Sequence, residues 1–336
     1  MLKKNLIIKC NELNIDNYKT KTKTKIQLIE LINNKLNNII YIKPIIKWVG
    51  GKTQIIDKVL SYFPQEINNY HELFLGGGSV LLALLQYISL NKIKINGNIN
   101  AYDINETLIN MYINIKNNYN QVLLLIKEII EIYNNLNGII INRKSNTIEE
   151  SQTSKESYYY WIRKQYNLLN QIDKNKPLGS AYFIFLNKTC FRGVYREGPN
   201  GFNVPFGHYI NPEIINELHI KTISELIQNV NFYHSSFEKS FEKILEDDFI
   251  YLDPPYAPEN SKSFVNYTTD GFNIDQHNLL FKTCKKYNFL MSNADVELVK
   301  NNFNDNIYTI EVISCKRSIN SKNPESKTNE VLIKKI

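Results

Sequence analysis

Along its 336 residues the chain predicts an α/β fold: one domain on a parallel sheet, interrupted by a second, mainly helical domain. Three patterns predict it. Residues 45–110 alternate short β-type runs with helical ones, and glycine-rich turns sit at the strand ends. Residues 111–211 break that rhythm with helical Leu/Ile/Tyr-rich runs, then a Gly/Pro/aromatic-rich stretch. From about residue 212 the strand–helix alternation returns. An α/β, insert, α/β order assigns 43–110 and 212–336 to one sheet and 111–211 to the insertion.

Composition supports a folded chain: 43% of residues are hydrophobic and 22% charged. The longest clean apolar stretch, Val80 to Leu85, is too short to span a bilayer. The start has no signal-peptide pattern. Four cysteines (Cys10, Cys190, Cys284, Cys315) make neither a disulfide scaffold nor a C-x-x-C site, which points to an intracellular, reducing compartment. The five histidines form no ligand-spaced pair, so no metal is expected. The formal net charge is +7; residues 1–52 hold eleven lysines against Glu12, Asp16 and Glu30, which is +8 and leaves −1 for the rest. The excess is local and points to a polyanion contact at the N-terminus.

Residues 1–42 read as a basic appendix. Leu2, Leu6, Ile7, Cys10 and Leu13 have helical spacing, as do Ile26, Ile29, Ile32 and Leu36, and a Lys-Thr repeat, Lys19 to Lys25, lies between the runs. This pairing loosely resembles the SAP motif, a helix–loop–helix module that binds DNA backbone. A solvated basic tail accounts for it equally well.

Pro44 restarts the chain. In IIKWVGGK, Ile45 to Lys52, the Gly-Gly-Lys-Thr run lacks the earlier glycine of a phosphate loop, because position 46 is Ile46. Next, HELFLGGGSVLLALL from His71 runs a β-type segment into Gly76, Gly77 and Gly78 and then into a helix. Such a turn lets backbone approach a ligand closely. Asp103 closes the next strand, where an acid can accept hydrogen bonds from both ribose hydroxyls of an adenosyl cofactor.

The deciding segment is Asp253-Pro254-Pro255-Tyr256, directly after the apolar strand Phe249 to Leu252. Two prolines stiffen the strand's carboxyl end and remove two N–H donors. The site then offers a carboxylate and carbonyl oxygens, which accept hydrogen bonds from an amino group, beside a ring that can stack on a base. The exocyclic nitrogen of adenine is a poor nucleophile because its lone pair is delocalised into the ring. Acceptors at Asp253 and the Pro254 carbonyl draw that lone pair out of conjugation toward an electrophilic methyl group. The target is inaccessible in stacked duplex, so the base must flip out.

These residues resemble the Dam-type DNA adenine-N6 methyltransferases (D12 class, alpha group). The likeness runs over most of residues 43–336, through KWVGGK, LFLGGGSV, YDIN, YYYWIRKQYN, FLNKTCFRGVYREGPNGFNVPFGHY, YLDPPYAP, FVNYTTDGF, MSN and CKRSINSK. It implies a Rossmann-like methyltransferase sheet, S-adenosylmethionine as methyl donor, and double-stranded DNA as partner of an enzyme acting as a monomer. A cognate restriction endonuclease is compatible with the resemblance but not read from the sequence. Trp48, Lys52, Asp103 and Asp253 are implied to line the cofactor site, with Phe74, Gly76 and Gly78 in the turn beneath, and Lys47 to touch DNA.

By the same resemblance residues 111–211 are the target-recognition domain, with a hairpin from Thr189 to Pro205. Phe191 is placed to wedge into the vacated stack, and Arg196 to read a guanine edge. Lys188 and Arg192 suit phosphate contacts; Val194, Asn203, Pro205, Tyr267 and Arg317 complete the expected DNA surface. Arg192 to Gly201 departs from the N-G-L-Y-R pattern of GATC-type members. The target is therefore expected to be GATC-like or a related four-base site such as CATG. Two alternatives stay open: a different acceptor (cytosine N4, or adenine in RNA), and a DNA-binding protein whose methyltransferase domain is vestigial.

Overall fold

The computed structural model describes residues 40–258, 272–316 and 327–335, together with positions 7, 10 and 28. The chain falls into two units, residues 1–41 and 42–336. In the first, Ile7, Cys10 and Leu28 are helical, and Cys10 and Leu28 are buried. The rest of the SAP-like segment lies outside the described residues, as do Tyr267, Arg317 and most of the polar loop after Ala257.

The second unit is organised by a seven-stranded sheet. Its strands are β1 (Tyr70–Glu72), β2 (Ile99–Asp103), β3 (Val230–His234), β4 (Phe249–Leu252), β5 (Asn288–Ala294), β6 (Tyr308–Lys316) and β7 (Lys327–Lys335). Their spatial order is β6-β7-β5-β4-β1-β2-β3. Neighbours from β3 across to β5 are parallel. β7 runs antiparallel between β5 and β6. Parallel strands are covered on both faces, which is why β4 reads as an unbroken Phe-Ile-Tyr-Leu run with every residue buried. The expected α/β fold with a mainly parallel sheet is what forms.

The chain order reverses beside β1: β2 and β3 lie on one side of it, β4 and β5 on the other. A crevice opens outside the carboxyl ends of strands at such a switch point. Register decides what lines it. Glu72 is level with Ala101 on β2 and Tyr251 on β4. Asp103 and Asp253 each follow two residues later, flanking the end of β1.

The helices account for the apolar runs. Helix α1 (Ile56–Ser61) precedes β1, and α2 (Ser79–Ser89) follows the glycine turn. Every residue from Val80 to Leu85 is buried, so α2 is covered all round at its start; each large apolar side chain there contributes roughly 1.5–3 kcal/mol. Helix α3 (Glu106–Asn135) is capped by Asn105, whose side chain accepts from the Leu108 N–H, and bends at Asn118 (φ −139°, ψ 29°). It begins on the sheet side of residue 111 and continues through it into the inserted segment.

There α4 (Lys155–Leu168) and α5 (Pro177–Thr189) pack with α3 around buried Tyr158, Tyr159, Tyr166, Phe183 and Phe185. Residues 142–155, which read as a loop, contain a single helical turn, Ile148–Ser151, started by a Thr147 cap. The hairpin is shorter than its sequence implied. Only Glu197–Gly198 and Gly201–Phe202 pair, and an isolated bridge from Cys190 to Phe206 closes the base. Helices α6 (Glu217–Leu226), α7 (Phe237–Phe241), α8 (Ile274–Cys284) and α9 (Glu297–Asn302) complete the sheet's cover. Cys10, Cys190 and Cys284 are buried free thiols. Among the described residues no helix is long and apolar enough to cross a membrane.

Candidate active site and recognition hairpin

The crevice is built around one buried ammonium. Lys52, 3% exposed, follows Gly50-Gly51, and its backbone N–H donates to Ser79 Oγ at the start of α2 (3.1 Å). Its Nζ donates to Gly50 O (2.8 Å) and pairs with Asp253 Oδ2 (2.9 Å). Nζ is also 3.9 Å from Glu330 Oε2 and 4.9 Å from the centre of the Tyr256 ring. Burial raises Asp253 to about 6; Lys52 pulls it down and Glu330 pushes it up. The Tyr256 hydroxyl donates to Glu330 Oε2 (2.8 Å), and burial beside Asp253 and Glu330 holds the phenol far above its ordinary value. Pro254 is buried and Pro255 exposed. The following Ala257 N–H donates to Asn293 Oδ1 on β5 (3.1 Å), which pins the far end of the loop.

The glycine turn lies next to this cluster. The Gly76 N–H donates to Asp103 Oδ2 (2.9 Å), and the Asn105 N–H to Asp103 Oδ1 (2.8 Å). Asp103 thereby ties the turn to the end of β2; burial raises its carboxyl and the backbone donors lower it. A side chain on Gly76 would come within 3.0 Å of Trp48 Cδ1, so glycine is what lets the indole lie on the turn. Gly78 precedes α2, and the space above it is filled by Tyr112, whose hydroxyl donates to Gly77 O (2.7 Å). Phe74 packs against Phe237 and Phe272, with ring centres 5.9 and 5.7 Å away.

Beneath the turn Glu72 is buried and accepts from the Tyr70 hydroxyl (2.7 Å). Burial pushes this carboxyl up to about 8, with Asp253 and Asp103 adding to the rise. Three carboxyls at the ends of β1, β2 and β4 are therefore all raised by burial, and the Lys52 ammonium pairs with one of them, Asp253. That donor set fits a cationic ligand. Asp103 already accepts from the backbone of Gly76, Asn105 and Ile104, which leaves it part of its acceptor capacity for a ligand hydroxyl.

The hairpin of the inserted segment is seated directly on this site. Trp48 stacks on Tyr195 (5.8 Å, 27°), so the indole lies between the glycine turn and the hairpin. Buried Asn187, at the end of α5, grips the backbone of Lys47: its Oδ1 accepts from the Lys47 N–H (2.8 Å) and its Nδ2 donates to Lys47 O (2.9 Å). The same Nδ2 donates to Gly193 O (3.1 Å). A side chain on Gly193, whose φ is +65°, would meet Lys47 Cδ at 2.5 Å.

Lys47 carries its Nζ 4.0 Å from the centre of the Tyr209 ring. Half-buried Lys188 is lowered by burial and by Lys47. Phe191 is 48% exposed, with its N–H bonded to Pro205 O (2.8 Å) and the Arg192 guanidinium 5.1 Å from its ring. Val194 is half-buried. Arg196 Nε donates to Asn203 Oδ1 (2.6 Å). Asn203 and Pro205 are exposed, alternating with buried Phe202, Val204 and Phe206, as a one-faced strand requires. The structure thus brings Phe191 to Pro205 and Arg196 to Asn203. It couples Arg196 to a neighbour, whereas the sequence treated it as a free reader.

Four residues of this arrangement escaped the sequence reading: Glu72, Asn187, Tyr195 and Glu330. Glu72 had a usable signal, being an acid inside a run that is otherwise strand-like. Glu330 ends the polar start of its strand, before the buried run Val331 to Ile333, and looks like any outward-facing acid.

A mainly parallel sheet with a switch-point crevice, a glycine turn tied to a strand-end acid and an Asp-Pro-Pro-Tyr loop define an α/β fold of the methyltransferase type. Comparison with known proteins gives the family. The profile of the D12 class N6 adenine-specific DNA methyltransferases matches residues 48–319, and the chain belongs to that family. It is 34% identical to the type II methyltransferase M.MjaIII of Methanocaldococcus jannaschii, over 85% of this chain and 96% of that one. It is 30% identical to the type II methyltransferase M1.LlaDCHI of Lactococcus lactis, over 84% and 90%. A DNA adenine methylase of Haemophilus influenzae is 29% identical over 85% and 90%. The methyltransferase class inferred from the Asp-Pro-Pro-Tyr segment is therefore correct, with DNA adenine as acceptor.

Proposed function

We propose that the chain transfers a methyl group from S-adenosylmethionine to N6 of an adenine flipped out of duplex DNA, at a GATC-like or related four-base site. The observation that carries this is the Asp253-Pro254-Pro255-Tyr256 loop, mounted at the switch point with a buried ammonium on its carboxylate. When bound, the donor supplies an electrophilic methyl on a positively charged sulfur. Asp103 would hold its ribose hydroxyls, Trp48 and Phe74 would flank it, and the acidic surroundings of Glu72 and Asp253 suit its positive charge.

The chain's own part is orientation. Tyr256 offers its ring as the stacking surface for the extruded base. The Asp253 carboxylate and the Pro254 carbonyl accept the two N6–H bonds, which redirects the nitrogen lone pair out of the ring plane. As the new C–N bond forms, the nitrogen carries a surplus proton, and Asp253 is the adjacent base that takes it. With its value near 6 it accepts a proton more readily than an ordinary carboxylate.

Phe191 and Pro205 form the apolar edge that enters the vacated stack. The Arg196–Asn203 pair reads a base edge as a unit: two of the five guanidinium donors are directed at Asn203, from Nε to its Oδ1 and from Nη2 to its backbone O, and the others remain for guanine acceptors. Lys47, Lys188 and Arg192 hold phosphates; Tyr267 and Arg317, which lie outside the described residues, are assigned DNA contacts by the family resemblance alone. Residues 111–211 serve as the target-recognition domain. The departure of Arg192 to Gly201 from GATC-type members supports a target related to GATC without requiring identity.

The test is a random-sequence duplex library treated with methyl-labelled donor, followed by base-resolved detection and nucleoside digestion. N6-methyladenine in one short sequence context is expected. Label in cytosine, or none that depends on the protein, refutes the proposal. Label in RNA adenine in preference to duplex DNA also refutes it.

A further inference from the structure

We infer that Glu330 is a positioning residue for the methyl transfer: it tethers the Tyr256 hydroxyl and so sets the plane against which the acceptor base lies. The inference rests on the proposed function, in which Tyr256 is the stacking surface. The two residues are 74 positions apart, yet the phenol oxygen and Glu330 Oε2 are 2.8 Å apart.

The mount is rigid. Glu330 is on β7, paired with Ala294 on one side and Ile313 on the other, so its backbone is held by two strands. Tyr256, in contrast, is carried on a loop. Pro254 and Pro255 fix the backbone before it, and the Ala257 bond to Asn293 fixes the backbone after it. Neither fixes the ring. A phenyl ring anchored only at its Cβ turns about two torsions, and an acceptor at the far end removes that freedom. A ring held at both ends is a surface of defined tilt, which in-line transfer demands, because small misplacements of reacting atoms cost rate steeply.

The placement of the acid argues against a merely structural role. Glu330 lies near a second carboxylate, Asp253, and both face the Lys52 ammonium, which is 2.9 Å from Asp253 and 3.9 Å from Glu330. A second acid beside a buried carboxylate repels it and disfavours folding. Local choices that work against stability are expected where function requires them. Lys52 already has close partners in Asp253 and Gly50 O, so the contact specific to Glu330 is the phenol.

The experiment uses the full chain and a duplex oligonucleotide carrying its target. Single-turnover rates are measured for wild type, Glu330→Ala, Glu330→Gln, Tyr256→Phe and the Tyr256→Phe/Glu330→Ala double variant. Glu330→Ala and Tyr256→Phe should each slow transfer about 10-fold, with KM for DNA and donor within about twofold. Glu330→Gln keeps an acceptor for the hydroxyl and should recover to within about threefold of wild type. The double variant should be no slower than Tyr256→Phe, which already removes the bond to Glu330 together with the hydroxyl's contact to Asp253.

Multiplicative slowing in the double variant, a Glu330→Gln rate as low as that of Glu330→Ala, or a full rate in Glu330→Ala overturns the inference. Should Glu330→Ala fail to fold, a full rate in Tyr256→Phe overturns it alone. An inactive wild type would instead refute the proposed function, so the two failures are told apart.

Discussion

Glu72 is the residue whose removal should be felt most clearly in stability. It is buried under the glycine turn, and its carboxyl is pushed from the ordinary 4.5 to about 8, first by burial and then by Asp253 and Asp103. The folded chain holds this proton more tightly than the unfolded chain does. The stability linked to holding it is complete below about pH 4.5 and is lost as pH climbs through about 8. Glu72→Gln keeps the shape and an acceptor for the Tyr70 hydroxyl but has no proton to lose. At ~1.36 kcal/mol per pH unit, allowing for partial ionisation as pH nears 8, wild type should lose about 2.5 kcal/mol against the variant between about pH 5.5 and about pH 7.5. Denaturant unfolding of both proteins at the two pH values reads the difference directly, because every other titrating group cancels to first order. A gap that stays constant with pH would show that Glu72 ionises as an exposed acid does, and would remove the argument that burial and the neighbouring carboxylates hold its proton.

Three further outcomes are expected. The acid limb of kcat/KM reports the free enzyme, so it should fall as pH drops through about 6, where Asp253 gains its proton; Lys52→Met removes the group that pulls Asp253 down and should move that limb to higher pH, whereas an unmoved limb would exclude Asp253 as its source. Gly193→Ala places a methyl against Lys47 at a left-handed position and should lower stability by roughly 1–2 kcal/mol in thermal unfolding while blunting discrimination between target and near-target sites; an unchanged selectivity would mean the hairpin's seat does not govern its aim. Deleting residues 1–38, which carry most of the N-terminal lysine excess, should leave methylation of a short oligonucleotide largely intact but flatten the salt dependence of DNA affinity, and an identical slope would show that this segment makes no phosphate contacts.

The sheet was legible where burial on two faces forces continuous apolar runs, as in Phe249–Leu252, and where a strand ends in an acid, as at Asp103. At β1 the strand was legible but the burial of its polar residues was not. Tyr70, His71 and Glu72 are all buried, and their polarity is satisfied by partners that sequence order conceals: His71 lies 3.1 Å from both the Tyr102 hydroxyl and Asp248 Oδ2. The glycine turn and the Asp-Pro-Pro-Tyr loop announced themselves because their chemistry needs unusual residues in an unusual order. Glu330 and Asn187 did not. Each is an ordinary residue in an ordinary element, and becomes special through a partner 74 or 140 positions away. The hairpin was overestimated because its flanks look strand-like, while Cys190 to Tyr195 is spent on a helical turn and on the seat against Lys47 and Trp48.

That seat bears on how such enzymes can be retargeted. A hairpin borrowed from a relative would bring its tip but only part of its footing, since Asn187 lies just before it and Lys47 and Trp48 far from it in sequence. Asn187 supplies the grip, Gly193 the clearance for Lys47, and Trp48 the shared face with Tyr195. A graft that ignored them would tilt both the hairpin and the indole that lies on the glycine turn. Altering the sequence preference of this scaffold is thus an exchange of three matched segments rather than of one loop.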